Sequence, residues 1–223
     1  MKIFRYLPCS LILGIASASF GGQGFQGLEL SAGLERSKYK LPGAEVYNAG
    51  IDQAYSTFDA SDKRSGSKLG VSYGFVGKNY VTSIGIDYIK TNQSLSTEFN
   101  GTSTSTSGPI TQTFKNRYEV YIAPGFKLTR ATLAYVKIGV MDTQNKIPLD
   151  SSANTTLTGG PNTLGALYGA GIKQKFTDNS PYFLKIEYTG GQSKNGTTLD
   201  ALGNQYQSKL KYGSASASLG LNF

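Results

Sequence analysis

The chain has 223 residues, with 22 Lys and Arg against 14 Asp and Glu, no His, no Trp, one Cys, 28 Gly and 15 Tyr. That length fits one domain or two. The absence of histidine excludes Ser-His-Asp and Cys-His nucleophiles, imidazole acid–base work and His metal ligation together. A lone Cys9 can form neither an internal disulfide nor a multi-cysteine metal site. With 39 % hydrophobic and 16 % charged residues and a mean hydropathy of −0.25, the chain reads as neither a helical membrane protein nor a charged disordered one.

The first residues read as an export address. Lys2 and Arg5 precede the apolar stretch Leu7 to Ile15, and Ala16-Ser17-Ala18 supplies the small residues a signal peptidase needs, with Ala16 and Ala18 flanking the cleavage position. This predicts a signal peptide over 1–18, cut after Ala18, and one β-barrel domain over 19–223. The apolar stretch falls well short of the roughly 20 residues of a spanning helix. Cys9 sits within the signal, not directly after its apolar segment, so it is read as a bystander and not as a lipidated cysteine.

Period-two alternation runs through the remaining chain and predicts eight strands. In the first, Leu28, Leu30, Ala32 and Leu34 alternate with Gly27, Glu29, Ser31 and Gly33. The second sets Leu69, Val71, Tyr73 and Phe75 against Lys68, Gly70, Ser72 and Gly74, and the third sets Tyr80 to Tyr88 against Ser83, Gly85 and Asp87. Strands four to seven continue the pattern through Tyr118 to Phe126, Ala134 to Val140, Leu164 to Ile172 and Tyr182 to Tyr188. The last sets Ala215, Ala217, Leu219, Leu221 and Phe223 against serines, Gly220 and Asn222. Tight turns join strands two and three around Gly77-Lys78-Asn79, four and five at Thr129-Arg130, and six and seven at Thr177 to Ser180. The four other joints are long, at about Arg36 to Gly66, Thr91 to Thr113, Asp142 to Asn162 and Gly190 to Gln205. In an antiparallel meander, short and long joints fall at opposite ends. The expected fold is therefore all-β: an eight-stranded antiparallel up-and-down transmembrane β-barrel with three short periplasmic turns and four long extracellular loops.

Alternation alone also suits a soluble barrel with a greasy inside. Two features point to greasy side chains outside. Eight strands enclose a lumen only wide enough for side chains, and the glycine-rich face suits that crowding. Aromatics on the apolar face also sort to two levels, with Phe75, Tyr80, Phe126, Phe176, Tyr182 and Phe223 beside the tight turns or the C-terminus and Tyr88, Tyr118 and Tyr188 beside the long joints. Two such rings around an aliphatic band match the two water interfaces of a membrane.

The opposite face carries Glu29, Asp87, Arg117, Glu119, Lys137, Lys173, Lys185 and Glu187, a charge network of both signs expected to pair across the lumen or hold water. Counting back from Phe223 puts Lys209 and Lys211 on the outer face above the apolar band, where they could meet lipopolysaccharide phosphates; a β-bulge near Tyr212 is the competing explanation.

The alternating strands, the signal peptide and the terminal run Ala215 to Phe223 resemble the small eight-stranded outer-membrane barrels, the opacity-protein-like family and its outer-membrane-protein-A- and X-type relatives. The resemblance implies insertion in the cell outer membrane of a Gram-negative bacterium. It also implies that Ala217, Leu219, Leu221 and Phe223 are the signal read by the barrel-assembly machinery. Members of that family serve as adhesins, immune-evasion surfaces, tethers or narrow channels.

Other matches carry less. Gly22 to Gly27 fits G-x-G-x-x-G without a strand before it or a helix after it. Glu98-Phe99-Asn100-Gly101-Thr102 fits an extended bacterial glycosylation sequon. Scattered cations without interleaved aromatics exclude a nucleic-acid site. The expected partners are outer-membrane lipids and lipopolysaccharide, the assembly machinery and a host or surface ligand met through the loops, with the protein a monomer and no catalytic residue, cofactor or metal. The first reading is a non-enzymatic surface protein whose barrel anchors exposed loops for adhesion or interaction. The apolar and aromatic groups Leu41, Val46, Tyr47, Ile51, Tyr55 and Phe58 make loop one the expected contact. The alternative is a narrow porin-like channel.

Overall fold

A computed structural model of the protein describes residues 24–47, 54–99, 108–146, 164–194, 196–199 and 205–223. All regular structure among them is strand: β1 Gly27–Tyr47, β2 Ala54–Val76, β3 Tyr80–Phe99, β4 Gly108–Lys127, β5 Thr132–Lys146, β6 Gly165–Lys175, β7 Tyr182–Ser193, β8 Gly196–Leu199, β9 Gln205–Ser208 and β10 Lys211–Asn222. Strands β1 to β7 pair in sequence order, β7 pairs β10, and β10 returns to β1, so eight antiparallel staves close on themselves. Closure leaves no open strand edge in the membrane zone, the condition hydrocarbon imposes. The short β8 and β9 pair with each other, and β9 adds to β1 at Glu45 to Tyr47.

The tight turns fall where the sequence puts them. The long joints differ from expectation, because much of each is strand. β1 and β2 stay paired as far as Tyr47 and Ala54, and β3 and β4 as far as Phe99 and Gly108. There the outward face turns to Ser, Asn and charged residues while the inward face mixes apolar Tyr39, Leu41 and Leu95 with polar Thr91 and Gln93, so period two fades while the ladder continues. The β2–β3 ladder begins at Ser67 with Lys90, below the tips of both hairpins.

Register shifts lie between Lys115 and Arg117 on the β5 side of β4 and between Ile89 and Asn92 on β3. Among the described non-glycine residues only Asn116 has a positive φ, +48°. Its side chain accepts from the Tyr88 hydroxyl at 3.1 Å and donates to Gln144 at 3.4 Å, consistent with the tolerance of Asn for this region. No shift interrupts β10 from Lys211 to Asn222 against β1 or β7, so Lys211 is exposed on the outer wall and Tyr212 is buried inside without a bulge between them.

The seam closes on a glycine. Gly27 has φ +107°, and a Cβ there would lie 2.0 Å from the Phe223 carbonyl oxygen, while the Phe223 N–H donates to Leu28 O at 2.8 Å. The tail of the G-x-G-x-x-G match is thus explained by chain closure. The signal region, with Ala16 and Ala18, lies outside the described residues, as do Asn100 to Thr102 of the sequon.

Candidate functional site

The outer wall is a belt of exposed aliphatic side chains, including Leu30, Leu34 (72 % exposed), Val71, Ile84, Ile86, Ile122, Val136, Ile138, Ile186 and Leu219. Phe75, Tyr80, Phe126, Phe176, Tyr182 and Phe223 are exposed on it toward the turns, and Tyr118 and Tyr188 toward the hairpins, with Tyr88 half-buried beside them. Tyr88 faces Tyr118 across β3 and β4 with ring centroids 5.2 Å apart, and Tyr80 faces Phe126 at 5.4 Å. Tyr168, which the sequence places on the apolar face of strand six but in neither aromatic level, is also exposed and stands opposite Gly190 near the upper ring. Leaving this much apolar surface to water would be a severe liability in a soluble monomer; in hydrocarbon it is the solvent match.

The inner wall is the reverse. Glu29, Asp87, Arg117, Glu119, Lys137, Lys173, Lys185 and Glu187 are all buried, and they are joined by three charges outside the expected network: Glu35, Lys175 and Lys68, the last of which the sequence places on the polar face of strand two. Glu35 carries the inward parity of β1, so alternation extended one step past Gly33 marks it. The network has tiers. Near the turns, Lys173 Nζ lies 2.5 Å from both Glu29 oxygens, and Ser72 donates to Glu29 at 2.9 Å. In the middle, Lys137 bridges Asp87 at 2.5 Å and Glu119 at 2.8 Å, while Lys68 meets Asp87 at 3.1 Å and contacts Glu187. Lys185 lies 3.7 Å from Glu187. Above them, Arg117 donates to Glu119 at 2.8 Å, to Glu35 at 2.7 Å and to the Tyr39 oxygen at 2.7 Å, and its guanidinium stacks 4.1 Å from the Tyr212 ring centroid. The Tyr212 hydroxyl donates to Glu119 at 3.1 Å.

Apolar layers close the charged zone at both ends. Phe25, Val81, Leu133 and Phe183 lie toward the turns, and Tyr39, Leu41, Ile89, Leu95, Phe114, Met141 and Leu210 lie toward the hairpins. Leu41 therefore corrects the expectation for loop one, since its odd position on β1 turns it into the lumen and away from any partner. Val46, Tyr47, Tyr55 and Phe58 belong to β1 and β2 with their side chains outside the described set, and Ile51 lies outside it altogether.

Inward glycines make room for these layers. Gly85 pairs with Tyr121, Gly171 with Tyr135 and Gly220 with Phe183. A Cβ on any of them would come within 2.3 to 2.6 Å of the facing ring or hydroxyl. Each ring lies over a neighbour's bare backbone, the arrangement by which aromatics stabilise strand glycines. The void left among Glu29, Ser72, Tyr121, Tyr135, Lys185 and Glu187 measures about 10 Å³, room for one water. No group of three or more His, Cys, Asp or Glu suited to a metal occurs among the described residues.

A closed eight-stave barrel with an aliphatic belt between aromatic rings and an ion-paired interior defines an outer-membrane β-barrel. No protein-family model and no curated protein matches the chain. Among solved structures it is similar to the outer membrane protein OprG from Pseudomonas aeruginosa, at 13 % identity and a TM-score of 0.59 over 90 % of this chain and 98 % of that one. It is also similar to Ail, the attachment invasion locus protein of Yersinia pestis, solved with the heparin analogue sucrose octasulfate, at 15 % identity and 0.49 over 89 % and 99 %. A third is the outer membrane protease OmpT from Escherichia coli, at 8 % identity and 0.47 over 93 % and 100 %. The chain has the fold of these outer-membrane barrels.

Proposed function

We propose that the protein is a non-enzymatic anchor that holds strand-built hairpins above the outer membrane for adhesion or another surface interaction. The observation that carries this reading is the height of the hairpins over a sealed lumen. β3 continues from Tyr88 in the upper ring to Phe99, roughly 35 Å of strand at ~3.3 Å per residue, or about 25 Å of height at a tilt of ~45°. Paired backbone holds that projection stiffly, lowering the ordering cost when a partner binds. Nothing comparable supports the channel reading, because side chains fill the interior and the void among the charges fits one water.

Catalysis is likewise unsupported. The lumen carboxylates Asp87, Glu119 and Glu187 are each held by lysines and buried away from any substrate. In the same reading the chain is exported after cleavage behind Ala18, and Ala217, Leu219, Leu221 and Phe223 serve as the signal to the assembly machinery. It then sits as a monomer among lipids and lipopolysaccharide.

The test is surface binding by cells expressing the full protein or a form in which residues 42–59 are replaced by Asn-Gly, joining the Leu41 and Ala60 pair directly. Loss of attachment to host matrix or epithelial cells, with the boiling-dependent gel shift retained, is the expected result. Undiminished attachment after trimming this hairpin and the β3–β4 hairpin would overturn the proposal.

A further inference from the structure

On the outer wall just above the upper aromatic ring, β1 turns abruptly from aliphatic to basic. Leu34 faces out, and the next three outward positions are Arg36, Lys38 and Lys40. The neighbouring strands extend this change sideways. Arg36 pairs with Ala215, which pairs with Tyr188; Lys38 lies between Gly213 on one side and Lys63 on the other; Lys40 lies opposite Lys211. At the height of Lys38 the two next staves carry only Gly213 and Gly190, so the wall is bare backbone between the lysines and the Tyr168 ring over Gly190. The result is an open hollow of about 500 Å³, rimmed by Arg36, Lys38, Lys40, Lys63 and Lys211 with Tyr188 at its foot, and none of its lining residues is acidic.

Packing five cations around one hollow is unfavourable by mutual repulsion unless an anion neutralises them. No described ion pair involves any of the five, whereas the nearby Arg64 pairs with Asp62 at 3.0 Å. Directly below lie Leu34 and Ile186 of the aliphatic belt. The site is thus amphipathic in the vertical direction, with hydrocarbon contact below, a tyrosine at the boundary and clustered positive charge above. A free sulfated sugar or inorganic phosphate would use only the upper half. A lipid whose phosphates sit at the membrane boundary and whose acyl chains run down the wall uses both.

We propose that the β2–β1–β10 wall is a binding site for a phosphorylated outer-leaflet lipid of the lipid A type, with Lys38, Lys63 and Lys211 holding its phosphates, Arg36 at the boundary and acyl chains lying along Leu34. The site deepens the expectation of lipopolysaccharide contact and rests on the outer-membrane reading, but not on adhesion. Its bonding is charge-assisted and made by strands, not by the hairpin tips.

The full-length barrel, purified in maltoside detergent, is titrated with diphosphoryl lipid A, and lipid retention is read by native mass spectrometry. The wild-type protein retains one lipid A. The double variant Lys38→Gln/Lys63→Gln weakens retention at least tenfold, and Gly213→Val, which fills the hollow, weakens it as well. The control Lys115→Gln/Lys127→Gln, which removes the same charge on β4 three strands from β1, stays within twofold. Folding of each variant is verified by its gel shift on boiling. Equal weakening by the β4 control, unchanged retention by the Lys38/Lys63 variant, or competition by a free sulfated oligosaccharide as strong as by lipid A itself would overturn the lipid site. Failure of the outer-membrane reading would show separately, as recovery of the protein in the soluble fraction.

Discussion

Arg117 and Glu35 stand 82 positions apart in the chain and meet across the lumen, with one guanidinium nitrogen 2.7 Å and 2.8 Å from the two carboxylate oxygens. Both side chains are almost fully shielded from solvent. Removing the cation leaves Glu35 and Glu119 buried without their shared partner, and breaking a buried pair in this way costs about 3–5 kcal/mol. Arg117→Met is expected to lower the unfolding free energy by that amount in urea titrations followed by gel shift. The triple variant Arg117→Met/Glu35→Gln/Glu119→Gln, which removes the charges together, should recover more than half of the loss.

The rings that lie over inward glycines make a second expectation. A Cβ at Gly220 would fall 2.3 Å from the Phe183 ring and 2.6 Å from the Leu30 carbonyl oxygen. Gly220→Val must displace the ring or open the β10 seam, and overpacking of this kind costs about 1–3 kcal/mol. Unfolding midpoints in urea should fall accordingly, while an outward substitution of similar size, Ala217→Val, should leave the midpoint nearly unchanged.

Asn116 offers a backbone test. At φ +48° a β-branched residue is strained, and its two side-chain hydrogen bonds to Tyr88 and Gln144 are lost on substitution. Asn116→Val is expected to destabilise the barrel by about 1–3 kcal/mol, and Asn116→Gly by less, since glycine keeps the conformation and loses only the bonds. Equal losses from both would show that the hydrogen bonds dominate.

How far the fold could be read from the chain follows the contrast between solvents. Where one face meets hydrocarbon and the other the lumen, as from Leu69 to Phe75 or from Tyr182 to Tyr188, hydropathy alternates sharply and each stave is legible, with the aromatic levels and most lumen charges. Above Arg36 and Thr91 the outward face turns polar while the inward face mixes apolar residues such as Tyr39, Leu41 and Leu95 with polar ones such as Gln93, so the contrast breaks up and paired strands read as loops. Glu35 sits at that boundary, one step past the residues whose alternation marks the first strand. The apolar roof of Tyr39, Leu41 and Phe114 was illegible for a related reason: an inward apolar layer reverses the parity rule that identifies the wall below it. The cross-lumen pairing of Arg117 with Glu35, or of Lys68 with Glu187, depends on closure and stagger and is not visible in local sequence.

The filled interior sets an electrical expectation. With Arg117, Lys137, Lys68 and Lys173 all engaged in ion pairs, ions would have to cross a desolvated, interlocked tier of charge. In planar bilayers the purified protein should give no steady unitary current, and neutralising Lys137 or Lys185 should create none. Discrete, voltage-stable openings sensitive to either substitution would favour the channel reading.

The orientation of the wall can be measured directly. Cys9 is the only cysteine in the chain, so a Cys9→Ser background allows single spin labels at the outward Ile84, Ile138 and Leu219 in a reconstituted bilayer, and single cysteines at the inward Ser72, Ser83 and Ser218 that are tested for reaction with the label reagent. The expected result is strong relaxation of the three outward labels by dissolved oxygen with little effect of an aqueous nickel chelate, and no labelling of the inward cysteines in the folded barrel. Rapid relaxation of the labels at Ile84 and Ile138 by the chelate would contradict the account, because those side chains would then face water and not lipid.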